Sequence, residues 1–170
     1  MSQKTLIVVD MQNDFVTGSL GTKEAVAIIP AIKKKIDEYQ NNDGRIIFTR
    51  DTHHENYLET SEGKHLPVVH CVKGTKGWEI VDELQAEDCR IIDKETFGYL
   101  EWKSEQLEEV ELVGVCTDIC VVSNALIIKA AYPEMTVTVD ASCCAGVTPE
   151  LHQAAITTMK SCQIQVTGKH

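Results

Sequence analysis

The sequence predicts an α/β fold: one three-layer domain over residues 1–170, with a six-stranded, mainly parallel sheet between helices on both faces. Three observations carry this. Six short runs rich in β-branched residues alternate with stretches whose apolar side chains recur every three or four positions, the pattern of strands joined by right-handed crossover helices. The first run, TLIVVD, is continuously apolar up to its closing carboxylate, so it reads as a strand buried on both faces, as in a parallel sheet covered by helices. A chain of 170 residues suits one full core, and no repeat, low-complexity tract or linker divides it.

The elements follow in order. Thr5–Asp10 (TLIVVD) is the first strand, too short for a helix and closed by a carboxylate. The stretch MQNDFVTGSLGT is a loop. From Lys23 to Asn41, the residues Ala27, Ile28, Ala31, Ile32 and Ile36 fall at helical spacing with Lys and Glu between them, and Pro30 predicts a turn or kink inside this helix. Asn41-Asn42-Asp43-Gly44 stops it. Arg45–Asp51 is the second strand, again ending in a carboxylate. Residues 52–77 read as a long loop, a length commonly functional in compact domains. Trp78–Leu84 reads as a short helix, Cys89–Lys94 as the third strand and Gly98–Leu107 as another short helix. Val110–Val115 is the fourth strand, Asp118–Tyr132 a helix apolar on most sides, and Met135–Asp140 the fifth strand. Pro149–Lys160 is a helix with proline in its first turn, and Cys162–Thr167 the sixth strand.

Composition narrows the function. A net charge of −10, from 16 basic and 26 acidic residues, excludes a nucleic-acid surface, which needs a basic stripe. The runs Lys33-Lys34-Lys35 and Glu108-Glu109 read as solvated faces. No apolar run approaches the roughly 18 residues of a membrane span, and the N-terminus enters a strand without a signal peptide. The seven cysteines are odd in number, which argues against a disulfide framework and for a reducing, cytoplasmic setting. No Gly-x-Gly-x-x-Gly follows the first strand, so no nucleotide cofactor is expected.

Open α/β sheets bind ligands beyond the carboxyl ends of their strands. Here those ends deliver Asp10, Asp51 with His53, Lys94, and the Cys116–Cys120 turn. Cys120, placed in the first turn of the Asp118–Tyr132 helix, is the strongest nucleophile candidate, because unpaired amides there stabilise a thiolate or an oxyanion. Two packed cysteines, or a disulfide, remain alternatives from the local sequence. An acid beside the thiol can accept its proton, and an ammonium can hold both anions. Asp51, His53 and His70, with a carboxylate between, form a donor set suited to Zn²⁺, Mn²⁺ or Fe²⁺.

Five segments, in order, resemble the isochorismatase-like cysteine hydrolases and, within them, the nicotinamidases. They are IVVDMQNDF (7–15), FTRDTH (48–53), VVHCVKGTKGWEI (68–80), DKETF (93–97) and LVGVCTDICV (112–121). The resemblance implies Asp10 as general base and acid, Lys94 as its electrostatic partner and Cys120 as nucleophile. It implies an oxyanion hole from the amides of Cys116 and Cys120, and a cis peptide before Cys116. Asp51, His53 and His70 match metal ligands. The remaining ligand departs from the commoner third histidine, and Glu62 fits it best, with Glu59 and His65 as runners-up and His54 as a neighbour. Phe15 and Phe97 match substrate-pocket aromatics, while Trp78 anchors the helix behind the loop. The expected activity is hydrolysis of nicotinamide to nicotinate and ammonia through a cysteine thioester. A divalent ion, zinc first with manganese or iron as alternatives, binds the pyridine nitrogen. The expected partners are that small molecule and further copies of the chain in a homo-oligomer, with no nucleic acid and no membrane. The rivals are a family hydrolase of another small amide, carbamoyl compound or vinyl ether without the metal set, a non-catalytic module, and a thiol-redox protein using Cys116 and Cys120.

Overall fold

Four consecutive residues of the first strand, Leu6 to Val9, have no exposed surface. Ile7 and Val9 point into one apolar cluster and Leu6 and Val8 into another on the opposite face. Each such side chain contributes about 1.5–3 kcal/mol by leaving water, which is why the strand reads as one unbroken apolar run. In this computed structural model, which describes residues 2–169, the elements are β1 (Lys4–Val9), α1 (Asn13–Val16), α2 (Lys23–Ala27), α3 (Ile29–Asn41), β2 (Arg45–Asp51), α4 (Ser61–His65), β3 (Arg90–Lys94), β4 (Glu109–Val115), α5 (Val122–Ala131), β5 (Val137–Ala145), α6 (Pro149–Ser161) and β6 (Gln165–Thr167). The six strands form one sheet in the order β3-β2-β1-β4-β5-β6, with every neighbouring pair parallel. One face is covered by α5 and α6 through Ala125, Ile128, Ile156 and Met159. The other is covered by α3 through Ile32 and Ile36. The fold is thus the expected single α/β domain. Among the described residues, no helix is long and apolar enough to cross a membrane.

Several local expectations are corrected. The stretch 23–41 is divided, as Pro30 implied, but the break falls at Ile28, between α2 and α3, and Pro30 lies in the first turn of α3, where its missing N–H has no helical partner to lose. The Met11–Thr22 loop contains the helical turn α1. Residues 52–77 are not structureless: they hold a 3₁₀ turn at Tyr57–Glu59 and then α4, whose first turn is capped by Thr60 Oγ1 accepting from Gly63 N at 3.0 Å. Trp78–Leu84 is not a helix. Two 3₁₀ turns, Lys76–Trp78 and Asp82–Leu84, flank Ile80, which bridges back to Gln12. Gly98–Leu107 keeps only the 3₁₀ turn Trp102–Glu105, where a buried Glu105 pairs with both Arg45 and Arg90. β5 runs on to Ala145, five residues past the expected end.

The junction of β1 and β4 explains why the fourth strand carries a glycine. Gly114 pairs with Val9, has φ +119, and a Cβ there would lie 2.2 Å from the Val9 carbonyl oxygen. Only glycine takes that backbone beside so close a neighbour. One residue on, the Val115–Cys116 peptide is cis, as the resemblance implied. The helix expected from Asp118 begins instead at Val122. A π-helical turn at Thr117–Val121 precedes it, with Val121 N bonding back to Cys116 O at 3.1 Å.

Candidate active site

Asp10 immediately follows β1 with φ 51, a left-handed backbone that aspartate adopts more readily than most residues. Its carboxylate is fully buried. Thr49 Oγ1 donates to Oδ1 at 2.7 Å, and Lys94 Nζ donates to Oδ2 at 2.8 Å. Lys94 closes β3, two strands from β1, and is itself buried. Its ammonium also donates to the Thr96 carbonyl at 3.1 Å and lies 3.5 Å from Cys120 Sγ and 3.9 Å from Asp51 Oδ1. Cys120, on the π-helical turn after β4, thus meets Asp10 through the ammonium that touches both. The sheet therefore brings an acid, an ammonium and a thiol together from strands up to 110 residues apart.

The electrostatics of the three differ from the thiolate expected at a helix start. Burial pushes the Cys120 thiol well above its ordinary range and the Asp10 charge pushes it further, with Lys94 only partly offsetting both. The resting sulfur keeps its proton. Burial likewise raises Asp10 against the opposing pull of Lys94, which makes its carboxylate a stronger proton acceptor. Burial would lower Lys94, but Asp10 and Cys120 outweigh it and hold the ammonium charged.

The second set lies on the adjoining wall. Asp51 ends β2, His53 follows it, Glu62 comes from α4, and His70 closes the loop. One donor atom from each lies within 4.8 Å of every other. His53 Nε2 is 2.8 Å from Asp51 Oδ2 and 2.9 Å from Glu62 Oε2, and His70 Nε2 is 3.4 Å from Asp51 Oδ2. A single ring N–H cannot point at two carboxylates, and both Asp51 Oδ1 and Glu62 Oε2 are buried without a hydrogen-bond partner. A coordination shell with bonds of about 2.1 Å has edges of about 3.0–3.4 Å, close to the three shortest separations here. His70 Nδ1 bonds the Val68 carbonyl at 2.7 Å, which directs Nε2 into the cluster. The residues thus form a buried Asp/His/Glu cluster suited to a divalent metal. Without one, burial would lower His53, but Asp51 and Glu62 outweigh it and raise it to about 9. Burial would raise Asp51, but His53, His70 and Lys94 hold it well below the carboxylate range.

The runners-up for the fourth ligand lie apart. Glu59 is exposed on the 3₁₀ turn before α4, His65 bonds Ser61 O from the exposed end of α4, and His54 pairs with Glu95 at 2.6 Å. Cys120 and the four-donor cluster open into one cavity of about 740 Å³, whose lining includes Phe15, Glu62, His70, Phe97, Cys116 and Cys120. Phe15 stands against His70, ring centroids 5.5 Å apart, and Phe97 is half-exposed at the rim. Trp78 anchors a 3₁₀ turn, not a helix. Its indole N–H donates to Thr52 Oγ1 at 3.0 Å, and Arg50 stacks on its ring at 3.7 Å.

Sequence reasoning missed the residues that hold these groups. Gln12 is fully buried, donates to the carbonyls of Asp51 and Trp78 and accepts from Asp51 N, all at 2.8 Å. Asp14 Oδ2 accepts from Cys71 N at 2.8 Å and so fixes the residue after His70. Polar residues in a loop read as solvated, and nothing local marks these as buried clamps. All seven cysteines are free thiols.

The Isochorismatase domain profile matches residues 4–170. The chain is 27% identical to the nicotinamidase of Saccharomyces cerevisiae over 98% of this chain and 100% of that one. It is 30% identical to the isochorismatase family protein PncA of Bacillus subtilis, over 73% and 77% of the two chains. Among solved structures, the pyrazinamidase of Pyrococcus horikoshii in complex with zinc superposes with a TM-score of 0.86 at 31% identity, covering 98% of this chain and 99% of that one. The chain therefore belongs to the isochorismatase family, within its nicotinamidase/pyrazinamidase subgroup.

Proposed function

We propose that this protein is a nicotinamidase: a metal-dependent cysteine amidohydrolase that converts nicotinamide to nicotinate and ammonia. One observation carries the reading. A buried thiol, backed by an ammonium that also holds an acid, faces the same cavity as a four-donor cation cluster, with Phe15 and Phe97 in its wall. The relatives named for nicotinamide and pyrazinamide hydrolysis support the substrate.

Asp51, His53, Glu62 and His70 would hold the cation, which would supply a Lewis acid to anchor the substrate ring; the zinc in the P. horikoshii relative supports zinc. Phe15 and Phe97 flank the ring. Asp10 takes the proton of Cys120, the two being held by the same ammonium, and Lys94 stays charged to stabilise the thiolate formed 3.5 Å away. The thiolate attacks the carboxamide carbon, and the amides of Cys116 and Cys120 receive the oxyanion. Asp10 then passes its proton to the departing ammonia and accepts one from the water that attacks the thioester; the C–S bond breaks, nicotinate leaves, and Asp10 returns that proton to the Cys120 thiolate.

The test is ammonia release from nicotinamide by purified protein, before and after chelation and with zinc added back. Release that falls on chelation and returns with zinc is expected. No release from zinc-loaded, folded protein overturns the nicotinamide assignment. A rival hydrolase without the metal set is disfavoured by the cluster, and metal-independent release would restore it.

A further inference from the structure

Asn124 lies in the first turn of α5, fully buried, and uses its whole hydrogen-bonding capacity. Its Nδ2 donates to the Cys120 carbonyl at 2.8 Å and to the Phe97 carbonyl at 3.2 Å. Its Oδ1 accepts from Tyr99 N at 2.8 Å and from Trp102 Nε1 at 3.0 Å. One side chain therefore ties the nucleophile turn to the stretch that follows Lys94.

That stretch is thinly supported. Glu95, Thr96 and Phe97 are exposed. The 740 Å³ cavity lies on one side, and a second hollow of about 430 Å³, lined by Lys94, Thr96, Gly98 and their neighbours, on the other. Yet its Thr96 carbonyl accepts from the Lys94 ammonium at 3.1 Å, so any drift of this wall is passed directly to Lys94.

We propose that Asn124 is a positioning residue. By clamping the Cys120 carbonyl to the backbone of Phe97 and Tyr99, it fixes the Thr96 carbonyl and so aims the Lys94 ammonium between Asp10 and Cys120. The inference rests on the proposed roles of those three residues. A purely structural buried amide would have the same contacts, so the test must separate aim from stability.

Two variants do this. Asn124→Asp keeps the acceptor but sets a carboxylate oxygen against two carbonyls, and Asn124→Ser cannot span the gap. The readouts are kcat and KM for nicotinamide, the rate of Cys120 alkylation by iodoacetamide at fixed pH followed by peptide mass, and Tm. Glu105→Gln, which weakens a buried network between Arg45 and Arg90, controls for lost stability. Both Asn124 variants should lower kcat about 10–100-fold with KM within about threefold, and slow Cys120 alkylation by a similar factor. Glu105→Gln should change Tm alone. Asn124 variants with unchanged kcat and unchanged alkylation overturn the proposal. If neither variant folds, hydrogen exchange in the wild type decides: the Tyr99 amide should be as protected as the α5 amides, and loop-like exchange overturns the clamp. Absence of nicotinamide turnover in the wild type would instead remove the proposed substrate, while the alkylation comparison still decides the role of Asn124.

Discussion

Replacing Lys94 by methionine removes a buried ammonium and keeps most of its volume. In the structure Nζ sits 2.8 Å from Asp10 Oδ2, and both side chains are at most 1% exposed. Deleting one partner of such a pair costs about 3–5 kcal/mol, because the other charge is left buried and unpaired. The site can escape that cost by protonating Asp10. At about 1.4 kcal/mol per pKa unit, the carboxyl then rises by roughly 2–4 units, on top of the elevation that burial already imposes. The hydroxyl of Thr49, at 2.7 Å, retains only part of the carboxylate's stabilisation. A protonated Asp10 cannot accept the Cys120 proton, so kcat at pH 7 should fall by about 10²–10⁴-fold. The direction with pH follows. Activity needs the ionised carboxylate, so the rate climbs as pH rises through the Asp10 pKa, and the variant's climb begins at least about two units higher. The assay is ammonia release from nicotinamide between pH 5 and 10, with circular dichroism to verify the fold. A variant that keeps kcat within about threefold, with its ascending limb unmoved, would refute the coupling of Lys94 to Asp10.

Glu62→Gln should weaken zinc binding by about 10–100-fold in a calorimetric titration, whereas His65→Ala should not; the reverse result would move the fourth ligand. In metal-free protein His53 is held up to about 9, so below that pH the metal must displace a proton. Burial would lower His70, but Asp51 outweighs it and raises this ring too, so apparent affinity should climb at least about tenfold per pH unit toward 9 and then level off, and a flat profile would mean that His53 is not a ligand. Gly114→Ala should lower stability by at least about 3 kcal/mol in guanidinium unfolding, since its Cβ meets the Val9 carbonyl; a loss below about 1 kcal/mol would contradict the close approach. Burial would raise Asp140, but Lys35 at 2.7 Å, with Ser142, holds it below its ordinary value. Its contribution is present above about pH 4 and lost as pH falls further, so the Tm deficit of Lys35→Met should be largest at neutral pH and shrink below pH 3. A deficit independent of pH would show that packing, not charge, is involved.

The strands were legible because a buried parallel strand carries a continuous apolar run: Leu6–Val9 in β1, Ile46–Phe48 in β2 and Leu112–Val115 in β4. β5 was cut short because Asp140-Ala141-Ser142 breaks that run; Asp140 is tolerated there only through Lys35 and Ser142. The 52–77 stretch hid α4, five residues long, because its signal is a Thr60 cap and a glycine packed under a carbonyl rather than any periodicity. That helix delivers Glu62, so sequence could rank the candidate ligands but not exclude Glu59 or His65. Asp10, Lys94 and Cys120 stood out as polar groups at strand ends. Gln12, Thr49 and Asn124 did not, because their importance lies wholly in partners distant along the chain. The π-helical turn had no local signature either, as it arises where β4 meets α5.

The strand order has a consequence for synthesis on the ribosome. The first strand made is central: β1 finds β2 on one side early, but its other edge waits for β4. Between the end of β2 at Asp51 and the end of β4 at Val115 the chain must grow by 64 residues (115 − 51). At about 5–20 residues per second that takes roughly 3–13 seconds. For that interval an apolar edge with unpaired amides is open to any neighbouring nascent chain. The strand that leads into Asp10 is therefore also the segment most in need of chaperone cover, and Cys120 labelling on arrested nascent chains would report the moment at which that edge closes.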